Sequence, residues 1–210
     1  MRSVATVPFA GSQLGESRHI CAFFHSADEQ YRVLLPFIRD GFDCGDKAVH
    51  VVSAERCGEH VQRLAEAGID PTAAQRSGQF ELRTNTETYL RDGRFDPDRM
   101  LEIFSKMAGS SAKEGFRLSR IVCQMDWAAD GRSHLEDLVE FESRVTDVWR
   151  RHDDVVICVY DLAKFGGDTV MDIMRTHPMV LIGGIVQENP FFVPPEEFLL
   201  ELRDRRATSR

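Results

Sequence analysis

The feature that most constrains this chain is its regular alternation of short apolar runs with longer amphipathic segments. The apolar runs are predicted strands, and they cover residues 19–24, 48–52, 80–83, 121–127, 155–161 and 179–186. Between them, apolar residues recur with the period of a helix. Strands separated by helices of this length form βαβ units, which place helices on both faces of a parallel sheet. We therefore predict an α/β fold with a mainly parallel sheet of about six strands.

The charge balance limits the partners of the chain. Acidic residues outnumber basic ones by 34 to 26, which leaves a net charge of −8. A net negative chain is poorly suited to general binding of a phosphate backbone, so we expect no direct nucleic-acid binding. The sequence contains no run of about 18 apolar residues and no signal-peptide pattern at its beginning. We expect a cytoplasmic protein that does not enter a membrane.

The cysteines and histidines lack the spacing of a local metal site. The five cysteines are scattered, and none belongs to a C-x-x-C pair. Three of them lie inside predicted strands, which favours small buried hydrophobic residues over ligands. The seven histidines form no H-x-x-x-H or H-E-x-x-H motif, so a metal site would have to combine residues distant in sequence. We predict no metal, no cofactor and no catalytic residues.

The chain has the organisation of one domain with two short ends. Residues 1–17 contain no periodic pattern, and we expect a flexible N-terminal lead-in. The periodic part, residues 18–200, is expected to form the domain. Residues 201–210 are rich in charge and are expected to form a C-terminal tail.

The predicted site lies beyond the carboxyl ends of the strands, where open α/β sheets bind ligands. Polar and aromatic residues follow the first, fourth and fifth predicted strands, and one carboxylate from a helix could join them. The predicted ligand-binding residues are His25, Ser26, Asp126, Trp127, Glu142, Tyr160 and Asp161. We expect Trp127 and Tyr160 to wall a pocket for a small, mostly apolar molecule. His19, at the opposite end of the first strand, is expected to point elsewhere.

The turn after the first strand argues against a nucleotide site. A phosphate-binding turn there would carry glycines and a lysine, whereas residues 25–29 read HSADE. The carboxylates of Asp28 and Glu29 would repel a phosphate group. Asp126 nevertheless lies where many nucleotide hydrolases place a magnesium-binding acid. A nucleotide-binding protein or ATPase that uses Asp126 for magnesium therefore stays as the alternative.

Glu142 lies on the apolar face of a predicted helix, between Leu138 and Val145. A bare buried carboxylate is costly, so Glu142 should have a partner or a raised pKa. A salt bridge to a buried arginine and a role in the ligand site are both open at this point.

Motifs along most of the chain resemble the MEDS domain family, a methanogen/methylotroph sensory domain. The resemblance covers residues 18–200 in order. It rests on residues 19–21 (HIC), 34–42 (LLPFIRDGF), 67–70 (AGID), 88–97 (TYLRDGRFDP), 125–127 (MDW), 141–142 (FE), 160–161 (YD), 176–178 (THP) and 189–195 (NPFFVPP).

The resemblance implies a RecA-like three-layer fold that has lost its phosphate loop. It also implies a non-enzymatic sensory or regulatory domain that recognises small hydrocarbon derivatives. Such domains are usually attached to DNA-binding or kinase modules, and these 210 residues leave no room for one beside the domain. We therefore expect signalling through a protein partner, such as a kinase, an anti-sigma factor or a transcription regulator, or through self-association as a homo-oligomer.

Overall fold

The computed structural model describes residues 6–208, without the side chains of residues 130, 132 and 133. The strands are β1 (Val7–Phe9), β2 (Ser12–Leu14), β3 (His19–Phe24), β4 (Lys47–Val52), β5 (Phe80–Thr84), β6 (Ser119–Gln124), β7 (Val155–Asp161), β8 (Met179–Ile182) and β9 (Ile185–Glu188). The helices are α1 (Ala27–Asp43), α2 (Cys57–Glu66), α3 (Pro71–Arg76), α4 (Pro97–Met107), α5 (Arg132–Trp149), α6 (Gly167–Thr176) and α7 (Pro195–Thr208).

Seven strands form the main sheet in the order β5-β4-β6-β7-β3-β8-β9. All neighbouring pairs from β5 to β8 are parallel, and only β9 runs antiparallel to its neighbour β8. The predicted α/β class with a mainly parallel sheet is confirmed. The single last strand predicted over residues 179–186 is wrong, because Gly183 and Gly184 adopt positive φ angles of 60° and 78°. Two consecutive positive φ angles favour a tight hairpin turn, which makes two strands of that run.

Helices cover both faces of the sheet, so the protein has three layers. On one face, buried residues of α1, α2, α3 and the β1–β2 hairpin pack against Ile20, Ala22 and Phe24 of β3. On the other face, buried residues of α4 to α7 pack against Cys21 and Phe23. Successive strand residues point to opposite faces, which explains how one short run supplies both cores.

Residues 7–14 and 201–208 are more ordered than the sequence indicated, while residues 1–5, 209 and 210 of the predicted lead-in and tail lie outside the described residues. Residues 7–14, predicted as part of a flexible lead-in, form the β1–β2 hairpin, and Val7, Phe9 and Leu14 are buried. The ring centroid of Phe9 lies 4.7 Å from that of Phe37 in α1. At the other end, α7 runs through the predicted charged tail to Thr208 and buries Leu202. A few apolar side chains at helical or alternating positions were enough to fold segments that are otherwise polar.

A buried chain of hydrogen bonds joins α1, α2 and β4. The hydroxyl of Tyr31 lies 2.9 Å from Nδ1 of His60, and Nε2 of His60 lies 2.8 Å from Nδ1 of His50. Burial, together with the nearby charge of Arg56, lowers the pKa of His60 to about 4. Burial and the neighbouring His60 also lower the pKa of His50. Both imidazoles are therefore neutral in the folded protein at neutral pH.

We expect acid to destabilise the protein through His60. Because its pKa is about 4 when folded and about 6.5 when unfolded, the unfolded state binds the extra proton between these values. The free energy of unfolding is therefore unaffected by His60 above pH ~6.5. It falls by roughly 3 kcal/mol as the pH drops from there towards about 4. Urea unfolding at pH 7 and pH 5 should show that the unfolding free energy decreases less with acid for His60→Gln than for the parent. The control His25→Gln, at an exposed position, should keep the parent's loss; an equal loss for His60→Gln would contradict the prediction.

Candidate functional site

A small cleft opens at the carboxyl ends of β3 and β7, beside the end of β6. Its volume is about 220 Å³. Its apolar walls come from Phe24, Ala27 and Val159. Its polar lining comes from Ser26, Gln30, Arg56, Glu59, Asp126 and Asp161. The cleft lies at the place where the topology of an open parallel sheet puts a ligand site.

Asp126 is held in the cleft by two donors. The backbone N–H of Asp161 donates to Oδ1 of Asp126 at 3.2 Å, and Nζ of Lys164 lies 3.1 Å from Oδ2. Each carboxylate oxygen therefore already has a donor from the protein. The side chain of Asp126 is only 13% exposed. It therefore forms part of the cleft wall and is not a carboxylate open to solvent.

Arg56 also lines the cleft. Its Nε is 3.7 Å from Oε2 of Glu59. Its Nη2 is buried and has no hydrogen-bond partner within residues 6–208. A guanidinium nitrogen that is buried without an acceptor is costly, so this corner of the cleft suits a ligand atom that accepts a hydrogen bond. Sequence reasoning missed Arg56, because it lies in a turn before α2 with no motif around it.

The amino-terminal end of α1 is occupied by the protein's own side chains. Ser26 Oγ accepts from the N–H of Glu29 at 3.2 Å, and Oε2 of Glu29 accepts from the N–H of His25 at 2.8 Å. In phosphate-binding folds these amides face the ligand. Here a capping arrangement uses two of them, as the sequence of the turn predicted.

The structure brings Ser26, Asp126 and Asp161 together at the cleft, whereas the side chain of Tyr160 is buried and its hydroxyl donates to Glu142. The structure does not bring Trp127 there. β6 ends at Gln124, and Trp127 follows in a short turn of 3-10 helix. Its indole stacks on Tyr89 with centroids 4.9 Å apart and is 3% exposed. Trp127 therefore belongs to the core under α4 and α5, and the expectation that it walls the pocket is wrong.

His25 also lies outside the cleft lining, on the exposed surface. Its backbone takes part in capping α1, but its ring does not line the cleft. The side chain follows the last residue of β3 on the surface of the turn. The strand-end rule predicted the right loop but could not tell which of its side chains turn inward.

Glu142 lies on the other side of the sheet from the cleft, at the centre of a fully buried polar cluster. Its predicted burial and pairing are confirmed, since it is 0% exposed. The hydroxyl of Tyr160 donates to Oε1 at 2.8 Å. Nε2 of His19 and Nε2 of His177 lie 3.3 Å and 3.5 Å from Oε2. The partners are two histidines, where the sequence had suggested an arginine.

Alternation along the strands explains how this cluster forms. His19, Cys21 and Phe23 of β3 lie in register with Val156, Cys158 and Tyr160 of β7, and Cys21, Phe23 and these three partners all belong to the core against α5. Glu142 comes down from α5, and His177 ends α6 just before β8. His19, at the start of β3, therefore does not line the cleft, and its ring points into this cluster. The signal was available, because His19 shares its strand face with Cys21.

The charges in this cluster affect each other. Burial alone would raise the pKa of Glu142, but the charge and hydrogen bonding of His177 and His19 outweigh burial and hold that pKa below its usual range. Burial and the neighbouring His177 lower the pKa of His19 to about 4. Burial beside Glu142 raises the pKa of the Cys158 thiol. Ligand-type atoms of His19, Glu142, Cys158 and His177 all lie within 4.8 Å of one another.

A comparison with protein-family models identifies the family of this chain. Residues 18–178 match the family model described as MEDS, the MEthanogen/methylotroph, DcmR Sensory domain. The chain belongs to the MEDS family. This confirms the resemblance seen in the sequence. The chain therefore has the general sensory and regulatory character of that family.

Two relatives place this MEDS chain among known proteins. It is 24% identical, over 183 residues, to the transcriptional repressor DcmR of Methylorubrum extorquens strain DM4. That match covers 84% of this chain but only 64% of the repressor. A KaiC-like protein, PH0186 of Pyrococcus horikoshii OT3, superimposes with a TM-score of 0.54 at 14% identity. The superposition covers 78% of this chain and 70% of PH0186, and it confirms the predicted RecA-like fold class. No helix within residues 6–208 is long and apolar enough to cross a membrane.

Proposed function

We propose that this MEDS chain is a non-enzymatic sensory domain that binds a small hydrocarbon derivative in the cleft at the carboxyl ends of β3 and β7. The observation that carries the proposal is that Arg56, whose buried Nη2 has no hydrogen-bond partner among the described residues, lines a small cleft with apolar walls. Its volume of about 220 Å³ lies below the roughly 300–1,000 Å³ of pockets for drug-sized ligands. The cleft therefore suits a molecule of a few carbon atoms.

The polar lining narrows the ligand further. Arg56 offers a donor, while Asp126 and Asp161 bring negative charge to the lining. A pure hydrocarbon would leave the buried Nη2 of Arg56 without a hydrogen-bond acceptor, which is costly. A short carbon chain that carries a hydrogen-bond acceptor, as in a small acid, an alcohol or a halocarbon, would pack against the apolar walls and accept a hydrogen bond from Arg56. This cleft is more polar than the mostly apolar pocket that the sequence suggested.

We propose that the bound state is passed on in the cytoplasm through a protein partner or through self-association. The relative DcmR is a transcriptional repressor, which supports a transcription regulator as the partner; a kinase or an anti-sigma factor would act in the same way. The surface offers apolar groups for such a contact at the β8–β9 turn. Ile182 is 50% exposed there and Ile185 is 65% exposed.

The ligand proposal is tested by titrating the protein with a panel of short acids, alcohols and halocarbons in a calorimeter. We expect at least one of them to bind, and Ala27→Leu, which fills the cleft, to abolish that binding. Arg56→Met, which keeps the stem but removes the donors, should weaken binding at least tenfold. Ala73→Leu is the matched control, because it fills a separate surface groove beside α3 and should change nothing. Binding that survives Ala27→Leu would place the site elsewhere.

The alternative, a RecA-like nucleotide-binding protein that uses Asp126 for magnesium, is tested in the same titration. The fold supports it, but the capped start of α1 and the donors already on Asp126 favour the sensory function. We expect no heat with Mg-ATP. A micromolar dissociation constant that Asp126→Ala abolishes would instead favour the nucleotide function.

A further inference from the structure

Four Lewis-basic side chains converge in the core between the sheet and α5. They are His19 of β3, Glu142 of α5, Cys158 of β7 and His177 at the end of α6. All four are 3% exposed or less. They come from four separate elements, so their meeting is a product of the fold and not of a local motif. The small-ligand cleft lies on the opposite side of the sheet.

The outer nitrogens of both histidines are committed to donating hydrogen bonds. Nδ1 of His177 lies 2.9 Å from the carbonyl oxygen of Ile173, which can only accept. Nδ1 of His19 lies 2.9 Å from Oγ1 of Thr146. That hydroxyl has one proton, which faces the carbonyl oxygens of Glu142 and Thr176 at 3.1 Å and 2.9 Å. Oγ1 must therefore accept from His19.

This arrangement leaves lone pairs facing lone pairs in the centre of the cluster. When both rings are neutral, Nε2 of His19 and Nε2 of His177 carry no proton, and both nitrogens lie close to Oε2 of Glu142. Nε2 of His177 has no hydrogen-bond partner in the part of the chain that the structure describes. Three acceptors that face one another in a dry core repel each other unless a positive charge lies between them.

The distances suit a metal ion as that charge. Oε2 of Glu142 is 3.3 Å and 3.5 Å from the two Nε2 atoms, and Sγ of Cys158 is 3.5 Å from Nε2 of His19 and 3.8 Å from Oε2. Tetrahedral zinc binds nitrogen and oxygen at about 2.0–2.2 Å and sulfur at about 2.3 Å, which puts neighbouring ligand atoms about 3.3–3.6 Å apart. Four of the six separations therefore lie near the edge lengths of a zinc tetrahedron, and the other two are within 4.8 Å.

We propose that His19, Glu142, Cys158 and His177 bind one divalent transition metal ion of the zinc type. The thiolate and carboxylate together neutralise a divalent ion, so the complete site carries no net charge in the core. Nitrogen and sulfur ligands select zinc and similar ions over magnesium and calcium. The hydrogen bonds from both Nδ1 atoms and from Tyr160 to the second carboxylate oxygen are the outer contacts that orient metal ligands.

The site has four protein ligands and no open position, which is the pattern of a structural metal site. Such an ion would tie β3, β7, α5 and the α6–β8 connection together. The proposal does not depend on the small-ligand cleft, and either can fail without the other. It replaces the expectation from the sequence that the chain holds no metal.

The experiment titrates the chelator-treated full chain with Zn²⁺ and, separately, with Co²⁺. We expect one ion per chain, visible absorption bands of four-coordinate cobalt and a thiolate-to-cobalt charge-transfer band in the ultraviolet. Cys158→Ser should remove the charge-transfer band, and His177→Asn should weaken zinc binding at least about 100-fold. Cys123→Ser is the matched control, since Cys123 is buried in β6 in register with Cys158 but is outside the cluster.

X-ray absorption on the parent protein loaded with zinc keeps the test independent of any variant that fails to fold. The expected spectrum has one sulfur at about 2.3 Å and three nitrogen or oxygen ligands at about 2.0 Å. A parent protein that takes up no zinc would overturn the proposal and leave a shared proton as the positive charge. Octahedral cobalt without a thiolate band, or binding unchanged by both Cys158→Ser and His177→Asn, would also overturn it.

Discussion

Replacing Asp46 with alanine should unfold the protein at a temperature lower by roughly 10 °C, from a loss of about 3–5 kcal/mol. The side chain of Asp46 is 1% exposed and neutralises a guanidinium that is equally buried, that of Arg120. Nε of Arg120 donates to Oδ2 of Asp46 at 2.8 Å. Removal of the carboxylate would leave this charge in the core without its main counterion, which is among the costliest changes a folded protein can undergo.

Arg120 has little freedom to escape that cost. Its other nitrogens donate to the carbonyl of Phe37 and to Oδ2 of Asp40 in α1. The helix approaches so closely that a Cβ at Gly41 would lie 2.7 Å from Cδ of Arg120. The guanidinium therefore joins β6 to α1, and it cannot turn to solvent without separating them.

Thermal and urea unfolding of a small set of variants checks this prediction. Asp40→Asn should cost clearly less than Asp46→Ala, because Asp40 is 36% exposed and water can take its place. The double variant Asp46→Leu with Arg120→Met removes both charges and should be more stable than Asp46→Ala alone. An Asp46→Ala protein that melts within two degrees of the parent would contradict the prediction and mean that Asp40 is a sufficient counterion for the buried guanidinium.

The fold was largely predictable because the signals that set it are local. The run at residues 19–24 is buried on both faces, and it forms β3 with the bounds that the pattern predicted. Ser26 and Asp96 cap α1 and α4 by accepting hydrogen bonds from the backbone N–H groups three residues later. The β1–β2 hairpin was missed because its three-residue strands are too short to show a period. Their burial depends on α1, which a local pattern does not contain.

The candidate site was predictable only in part, because side-chain direction depends on where a strand ends. Ser26, Asp126 and Asp161, which the strand-end rule predicted as site residues, line the cleft. The rule misplaced Trp127, since β6 ends at Gln124 and the following turn directs the indole into the core. His177 was seen only as the residue before a proline. Its meeting with His19 depends on the neighbouring positions of β3 and β8 in the sheet, which the sequence pattern does not reveal.

Replacing Glu142 with leucine in the metal-free protein should cost about 3–5 kcal/mol of unfolding free energy. The change removes the acceptor of the Tyr160 hydroxyl and the anion that faces both histidines. Each buried polar group left without a partner costs about 1–3 kcal/mol. Glu142→Gln keeps the shape and one oxygen for Tyr160, so its loss should be smaller. Urea unfolding in the presence of a chelator measures both variants.

The same substitutions at Glu136 are the matched control, because Glu136 lies on α5 but is 56% exposed. Both should stay within about 0.5 kcal/mol of the parent. Glu142 variants as stable as these controls would show that the buried carboxylate contributes no net stability. Repeating the series with zinc separates the two roles of Glu142. An ion that binds only the folded parent adds stability in proportion to the logarithm of its concentration over its dissociation constant. The gap between parent and Glu142→Leu should therefore widen with zinc if the cluster is a metal site, and stay constant if Glu142 only balances the histidines.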